Sequence, residues 1–564
     1  MPLKPIFDKA PLTAMTSQAL RAGMVRSEHV KVKQLHALLQ GDTAPAALEP
    51  AFRLTCLVQA NPAESDAAQA IRRAAALQKE DGSFDLSLSD TVAVLRGCWA
   101  LYEYEARMPI LEPVARWCAW AHANWDALLA DDAIWANPAD LMELLEQLYR
   151  VTGKPALLTM VTRLSQQTMN WSGVLNTLNS QRPTSRTITK EELETCLNIE
   201  NGSREGYYSH FIRANSPEQL ADGARSCVAR AGVSGSATEM NAARTGWEKL
   251  QRHHGAICGG LTSDELLEGT SPSAAVSAAA VGAWAEALCT AAAYGKNDWA
   301  FEAVERIALN AMPAAIGEHS IAAFQRVNTL TDKPGMDDCF RVAPGHAQRS
   351  LYRLARAVAA VASTAVMARP NGFAVNMYVP GAYQVPVGDA AMVLTLRMRE
   401  GKCLIQIGCK QEMKAAVSLR LPVWARNTEI TVNGAESDPG SEVSSAAMII
   451  DRTWHDGDVI AVNLEETLRV MDGHHQGMYV LKGAKVMCMP ADADWAVSLV
   501  SVQDSENGVT AQVDAVDAWK RKGDVPADVP VLPAASGREL RTVTLVPYAE
   551  VGACIALFPR RSQA

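Results

Sequence analysis

From about residue 20 to residue 368, apolar positions recur three and four apart in segments punctuated by Gly, Pro or Asn. That is the spacing of one buried helix face. Asp90–Glu105 (DTVAVLRGCWALYEYE), Pro138–Thr152 (PADLMELLEQLYRVT) and Ala274–Tyr294 carry it most clearly. The repetition of paired helices predicts a toroid, although a bundle or a superhelix has the same period. Beyond Asn371 the period falls to two, over Ala390–Met398, Cys403–Ile407, Ala416–Leu421 and Glu429–Val432, with turns at Asn433-Gly434 and Asp456–Asp458. These segments are predicted strands of a β domain. A second β unit is expected from near Gly477 to the closing TVTLVPYAEVGACIALFP, and its Pro-, Asp- and Gly-rich middle, Asp504 to Gly537, reads as a mobile insertion.

With 564 residues the chain is too long for one core, and length alone suggests about three or four domains. Hydrophobic residues make up 48% and charged residues 20%, a globular composition with enough apolar material for several cores. The formal net charge of −9 argues against nucleic acid, whose binding needs clustered Lys and Arg. No long uninterrupted apolar run occurs and the N-terminus has no signal-peptide pattern, so no membrane partner and a cytoplasmic location are expected. Twelve cysteines without a CxxC read as reduced, buried thiols. Phosphate-loop, dinucleotide and GxSxG motifs are missing, which sets aside kinase, dehydrogenase and esterase chemistry.

The strongest candidate for chemistry is the polar turn HHGAICGGLTSDELLEG, which opens the segment His254–Pro313 between two helical stretches. Gly255, Gly259 and Gly260 let the backbone bend, and Asp264 beside Glu265 puts adjacent carboxyl groups at the mouth of whatever the helices enclose. The same pair also reads as helix-terminal acids complementing the macrodipole.

Several longer stretches resemble one family. Leu141–Trp171 has a Leu-Tyr-x-x-Thr-Gly step, a Leu-Leu pair and a Gln-Thr-x-x-Trp end. His253–Pro313 has a His-Gly, the Asp-Glu step and a close built on Glu305, Arg306, Asn310 and Pro313. LRLPVWARNTEITVNG followed by RTWHDGDVIAVNL, and Val546-Pro547-Tyr548 with Phe558-Pro559, complete the set. Together they are similar to the β-L-arabinofuranosidase family of bacterial glycoside hydrolases (family 127-like). The resemblance implies an α+β multidomain fold: an (α/α)6 six-hairpin barrel followed by two β-sandwich domains. The expected divisions are residues 1–20 as an N-terminal segment pairing with the β domain, 21–370 as the barrel, 371–475 as the first sandwich and 476–564 as the second.

The resemblance also implies a Zn²⁺ held by one Glu and three Cys, one Cys being the nucleophile, with a second Glu as general acid/base. The ligand positions fall near Ser277, Ala279, Val342 and Ala343, with Cys339 the nearest thiol, so no zinc and no other cofactor is expected. A rearranged site using Cys258, Cys289 and Cys339 is the metal-binding alternative. Glu265 matches the acid/base position, and an apolar surround is expected to raise its pKa, with Asp264 tuning it or capping a helix. The candidate substrate-binding residues are Tyr207, Tyr208, His210, His254, Gln325, Asn328, Arg341 and His346. Asp337 and Asp338 are a further source of a carboxylate. The expected partner is a small carbohydrate, with a homodimer as a compatible assembly. The expected function is a metal-free glycoside hydrolase using Glu265 on a small oligosaccharide or glycoside, β-L-arabinofuranoside-like in linkage. The alternatives are a non-catalytic sugar-binding or scaffold protein and a metal-free acid/base lyase or inverting hydrolase.

Overall fold

The computed structural model describes residues 23–27, 29–201, 203, 206–263, 265–272, 274–294, 298–328, 345–369, 371–388, 390–399, 402–425, 428–436, 447–474, 477–490, 496–505, 508–516, 540–552 and 554–559. Six helices matter most, here α1 (Pro45–Val58), α2 (Leu88–Glu105), α3 (Ala139–Thr152), α4 (Pro217–Ser234), α5 (Ala278–Ala293) and α6 (His346–Ala365). Each packs on the next, and α6 packs back on α1, so the six close a ring. A second helix lies outside each one: Val30–Leu38 on α1 and α6, Asp66–Ala75 on α1 and α2, Glu112–Ala123 on α2, Pro155–Gln167 on α3, Ala237–His254 on α4 and Asp298–Leu309 on α5.

Local chemistry sets these boundaries. Ser87, Ser216 and Ser277 accept hydrogen bonds from the first turns of α2, α4 and α5, satisfying donors that have no partner within the helix. Gly153 and Gly235 end α3 and α4 in the left-handed region. The helix expected over Ala274–Tyr294 begins later, because Ala275–Ser277 first pairs as a strand with Phe324–Arg326. Almost every residue of α5 is buried, as befits a helix enclosed on all sides. A Cβ on Gly282 would lie 2.5 Å from the Arg353 carbonyl carbon, so only glycine lets α5 and α6 cross this closely.

Two β units follow. The first sets a seven-stranded sheet, whose middle runs from Gly381–Val387 through Ala390–Arg399 and Lys402–Gly408 to Val459–Asn463, beside a four-stranded sheet centred on Met413–Arg420 and Gly372–Val375. The edge of the larger sheet is Gly23–Arg26, antiparallel to Gly381–Val387. The expected pairing segment 1–20 lies outside the described residues. Asn433 (φ 52°) and Gly434 (φ 81°) make the tight hairpin predicted there.

In the second unit the strands form one continuous eight-stranded hydrogen-bonded sheet whose ends fold together, with Ala496–Ser505 packing on Phe558–Pro559. Leu540–Pro547 explains the continuity, because its first six residues pair with Gly508–Val516 and its last two with Lys485–Pro490. Gly508–Val516 itself falls inside the expected insertion, and alternation over GVTAQVDAV makes it a strand. Residues 517–537 of that expectation lie outside the described residues.

The three parts are fastened by buried polar contacts. Asn310, 1% exposed, donates Nδ2 to the Ala484 carbonyl (3.0 Å) and accepts from the Val486 amide (2.7 Å). Arg420 reaches Glu302 and Glu305, and the Trp424 indole donates to Glu305 (2.9 Å). Asn310→Ala strands two buried backbone groups, each worth roughly 1–3 kcal/mol. We expect it to lower unfolding stability by about 2–4 kcal/mol in calorimetry, with the second β unit losing structure first.

Candidate active site

The turn after Ala237–His254 is held rigidly. Thr262 donates its amide to the His254 carbonyl (2.7 Å), Leu267 donates to Asn215 (2.9 Å), and Thr184 donates to Leu267 (2.8 Å). His254 is fully buried; its Nδ1 accepts from the Gly269 amide (2.9 Å) and its Nε2 donates to the Ser180 carbonyl (2.7 Å). Both ring nitrogens are therefore spent on backbone, and His254 positions the turn instead of meeting a sugar. Gly259 (φ 92°) passes so close to the next helix that a Cβ would sit 2.9 Å from Arg306 Cγ.

That turn delivers Glu265 to the N-terminal end of α6. Its carboxylate, 10% exposed, lies against His346 Nε2 off the line of a hydrogen bond, and 3.5 Å from Arg349 Nη2. Arg349 Nη2 lies 3.2 Å from His346 Nδ1. A guanidinium can only donate, so Nδ1 accepts and the ring proton is assigned to Nε2. The apolar surround expected for Glu265 is thus replaced by an imidazole and a guanidinium. The neighbouring Asp264 lies outside the described residues, as do Arg341, Asp337, Asp338, Cys339, Val342 and Ala343.

Below Glu265 a ladder of charge descends the axis of the ring. Arg349 Nε meets Glu218 (3.2 Å), and Arg353 meets Glu218 (3.7 Å) and grips Asp222 through both terminal nitrogens (2.6 and 3.0 Å). Arg225, wholly buried, joins Asp222 (3.2 Å), Asp140 (2.7 Å) and Glu143 (2.5 Å). Arg356 holds Asp140 (2.6 Å) and Glu286 (2.7 Å), and Arg96 runs on to Glu143 (3.1 Å) and Glu49 (2.6 Å). Every helix of the ring supplies at least one member.

Although burial works the other way, Arg356, Arg96 and Arg225 hold the Asp140 carboxyl well below the usual range. Asp140 nevertheless keeps 32% of its side chain exposed, and Glu286 Oε2 has no hydrogen-bond partner among the described residues. Accessible polar space therefore remains beside Asp140, whereas Glu286 Oε2 is closed off.

The other candidates divide. Tyr207 is 71% exposed, stacks on Phe211 and meets Tyr208 edge-on, beside the small cluster of Leu193 and Leu266 next to Glu265. His210 meets the Trp135 ring edge-on at 5.5 Å. Gln325 donates to Ala311 (2.8 Å) and accepts from the Tyr548 hydroxyl (3.0 Å), while Asn328, 1% exposed, binds the backbone of Ala556 and Leu557. Those two amides fasten the C-terminal strands. Among the described candidates His346 is the one shown against Glu265. Glu218, Arg349 and Arg353 were missed, although Arg349, Arg353 and Arg356 recur four and three apart in RSLYRLARAVA, a charged stripe on an otherwise apolar helix.

Residues 372–466 match the family described as β-L-arabinofuranosidase, GH127 middle domain. The solved structure of a GH127 β-L-arabinofuranosidase from Geobacillus stearothermophilus T6 matches with a TM-score of 0.64 at 14% identity, over 95% of this chain and 94% of that one. This chain has a GH127-like fold. Its fold also matches a structure described as a glycoside hydrolase (TM-score 0.66, 12% identity, 99% and 100% covered) and another GH127 β-arabinofuranosidase (0.63, 12%, 99% of each). No curated protein matches the chain.

Within this GH127-like fold the described donors do not suit zinc. The Ser277 hydroxyl caps α5, Ala279 has no donor, and no group of three or more His, Cys, Asp or Glu among the described residues could hold a metal. Cys258 neighbours Tyr548, whereas Cys289 bonds Thr364.

Two measurements probe this architecture. Arg225→Met removes the cation from several buried carboxylates, and we expect a loss of about 3–5 kcal/mol in urea unfolding. Burial pushes the His254 pKa down from 6.5 to about 4. The unfolded chain therefore binds that proton first as pH falls, so the stabilisation present above pH 6.5 is lost progressively toward pH 4. Urea midpoints between pH 7 and pH 4.5 should fall less steeply in His254→Asn.

Proposed function

We propose that this GH127-like chain is a glycoside hydrolase for a small oligosaccharide or glycoside, β-L-arabinofuranoside-like in linkage, with Glu265 as general acid/base and without zinc. The helical ring is read as an (α/α)6 six-hairpin barrel, with Asp264 beside the acid and Tyr207 as an aromatic platform near the mouth. The observation that carries the reading is the position of Glu265. A rigid turn holds it at one end of the ring, tied to His346 and Arg349, with a polar space retained on the axis at Asp140. The matched structures described as β-L-arabinofuranosidases support the choice of linkage. A cytoplasmic location is part of the same proposal.

In that reading Glu265 protonates the departing glycosidic oxygen, and the arginines hold sugar hydroxyls through planar, directional donors. A second reading, a sugar-binding scaffold, draws support from the ladder itself, because ion pairs occupy much of the axis that a substrate would need.

Turnover of β-L-arabinofuranosides with poor and good leaving groups decides between them, alongside elemental analysis of untagged protein. Glu265→Gln should cut kcat at least about 100-fold for 4-methoxyphenyl and markedly less for 2,4-dinitrophenyl, whose departure needs no proton. Equal activity of variant and wild type on both substrates sinks the Glu265 role. Stoichiometric zinc overturns the metal-free assignment, and wild-type binding without turnover favours the scaffold.

A further inference from the structure

A hydrolase that uses Glu265 as its acid still needs a group to activate water, and a glycosidase of this type takes it from a second carboxyl. The ladder contains one at the same level. Glu218, in the first turn of α4 and 14% exposed, lies 3.2 Å from Nε of the same Arg349 guanidinium whose Nη2 is 3.5 Å from Glu265, an ion pair without hydrogen-bond alignment at Nε. The two carboxyl groups thus sit beside different nitrogens of one guanidinium, which keeps the contacting oxygens within roughly 9 Å of each other, a limit that includes the spacing of acid/base pairs in inverting glycosidases. They come from separate elements, the turn after Ala237–His254 and the start of α4. Arg349 is 37% exposed, the most open of the cations around them, and is the side chain able to leave the gap when a sugar enters.

Lower acids fit less well. Asp222 is gripped by both terminal nitrogens of Arg353, and Asp140 lies at the level of Arg356, seven residues beyond Arg349 along α6 and hence about 10 Å deeper.

We propose that Glu218 is the general base that completes the site, a role resting on the hydrolase reading above. Glu218 removes a proton from a water molecule as its oxygen bonds to the anomeric carbon; the bond to the leaving oxygen breaks, and that oxygen takes the proton from Glu265. The product carries inverted configuration, and each carboxyl changes by one proton.

The test uses the full chain and 2,4-dinitrophenyl β-L-arabinofuranoside. The first product formed by wild type, followed by NMR, is expected to be the α-anomer; a β-anomer overturns the role of Glu218 without touching that of Glu265. Glu218→Gln should lower kcat about 100-fold or more with good and poor leaving groups alike, and should remove the acidic limb of the kcat/KM pH profile. In Glu218→Ala, azide should restore turnover and yield the α-glycosyl azide, which loss of folding could not produce. Activity of Glu218→Gln within threefold of wild type overturns the inference while leaving the hydrolase reading intact. Absence of wild-type turnover on every β-L-arabinofuranoside removes the reading and this inference together.

Discussion

Closure of the helical ring around buried charge is the constraint on which the rest of the structure depends. An arginine with no exposed surface, such as Arg225, is tolerable only where carboxylates meet it from several directions, since desolvating a guanidinium costs several kcal/mol. Asp140, Glu143, Asp222 and Glu286 meet it from three different helices. Apart from the Asp222 pair, which lies within α4, none of these pairs forms unless the helices stand in one rotational setting around a common axis. The ladder therefore specifies how α1 to α6 face one another, and the apolar surfaces behind them take the outer helices. The same setting brings Glu218 and Arg349 to the turn that carries Glu265.

The stretches by which the chain resembles its family act mainly as fasteners. Arg420 and Trp424 of LRLPVWA anchor the first β unit on Glu302 and Glu305, and Asn310 of ERIALNAMP pins the second. Gln325, Asn328 and Tyr548 join the barrel side to the C-terminal strands. Ser277 is a helix cap and Ala279 a buried methyl group, neither of them a metal donor. A shared fold thus leaves the reaction to be argued from the site.

Legibility followed the range of the interactions. Helix and strand periods placed Glu429–Val432 and the Asn433-Gly434 turn correctly, because alternation and turn chemistry are local. The strand Gly508–Val516 was masked by turn-prone neighbours in sequence, and the single sheet of the second unit depends on one strand being shared between two ladders. Of the candidate residues, His346 lies against Glu265, whereas His254 and Asn328 are committed to backbone and Gln325 to backbone and the Tyr548 hydroxyl. A polar side chain in a sequence does not reveal whether its partner is a ligand or a carbonyl far along the chain.

By itself the sequence determined the periodic elements, the change from helix to strand near residue 370 and the Asp-Glu step, since each is a property of neighbouring residues. Only the tertiary structure decided that the helices close into a ring, that their charges face inward, and that Glu218 shares an arginine with Glu265 from 47 residues away. Periodicity assigns a residue to a face. Which faces meet depends on the simultaneous burial of apolar surface and neutralisation of charge across all six helices, and no local stretch contains that information.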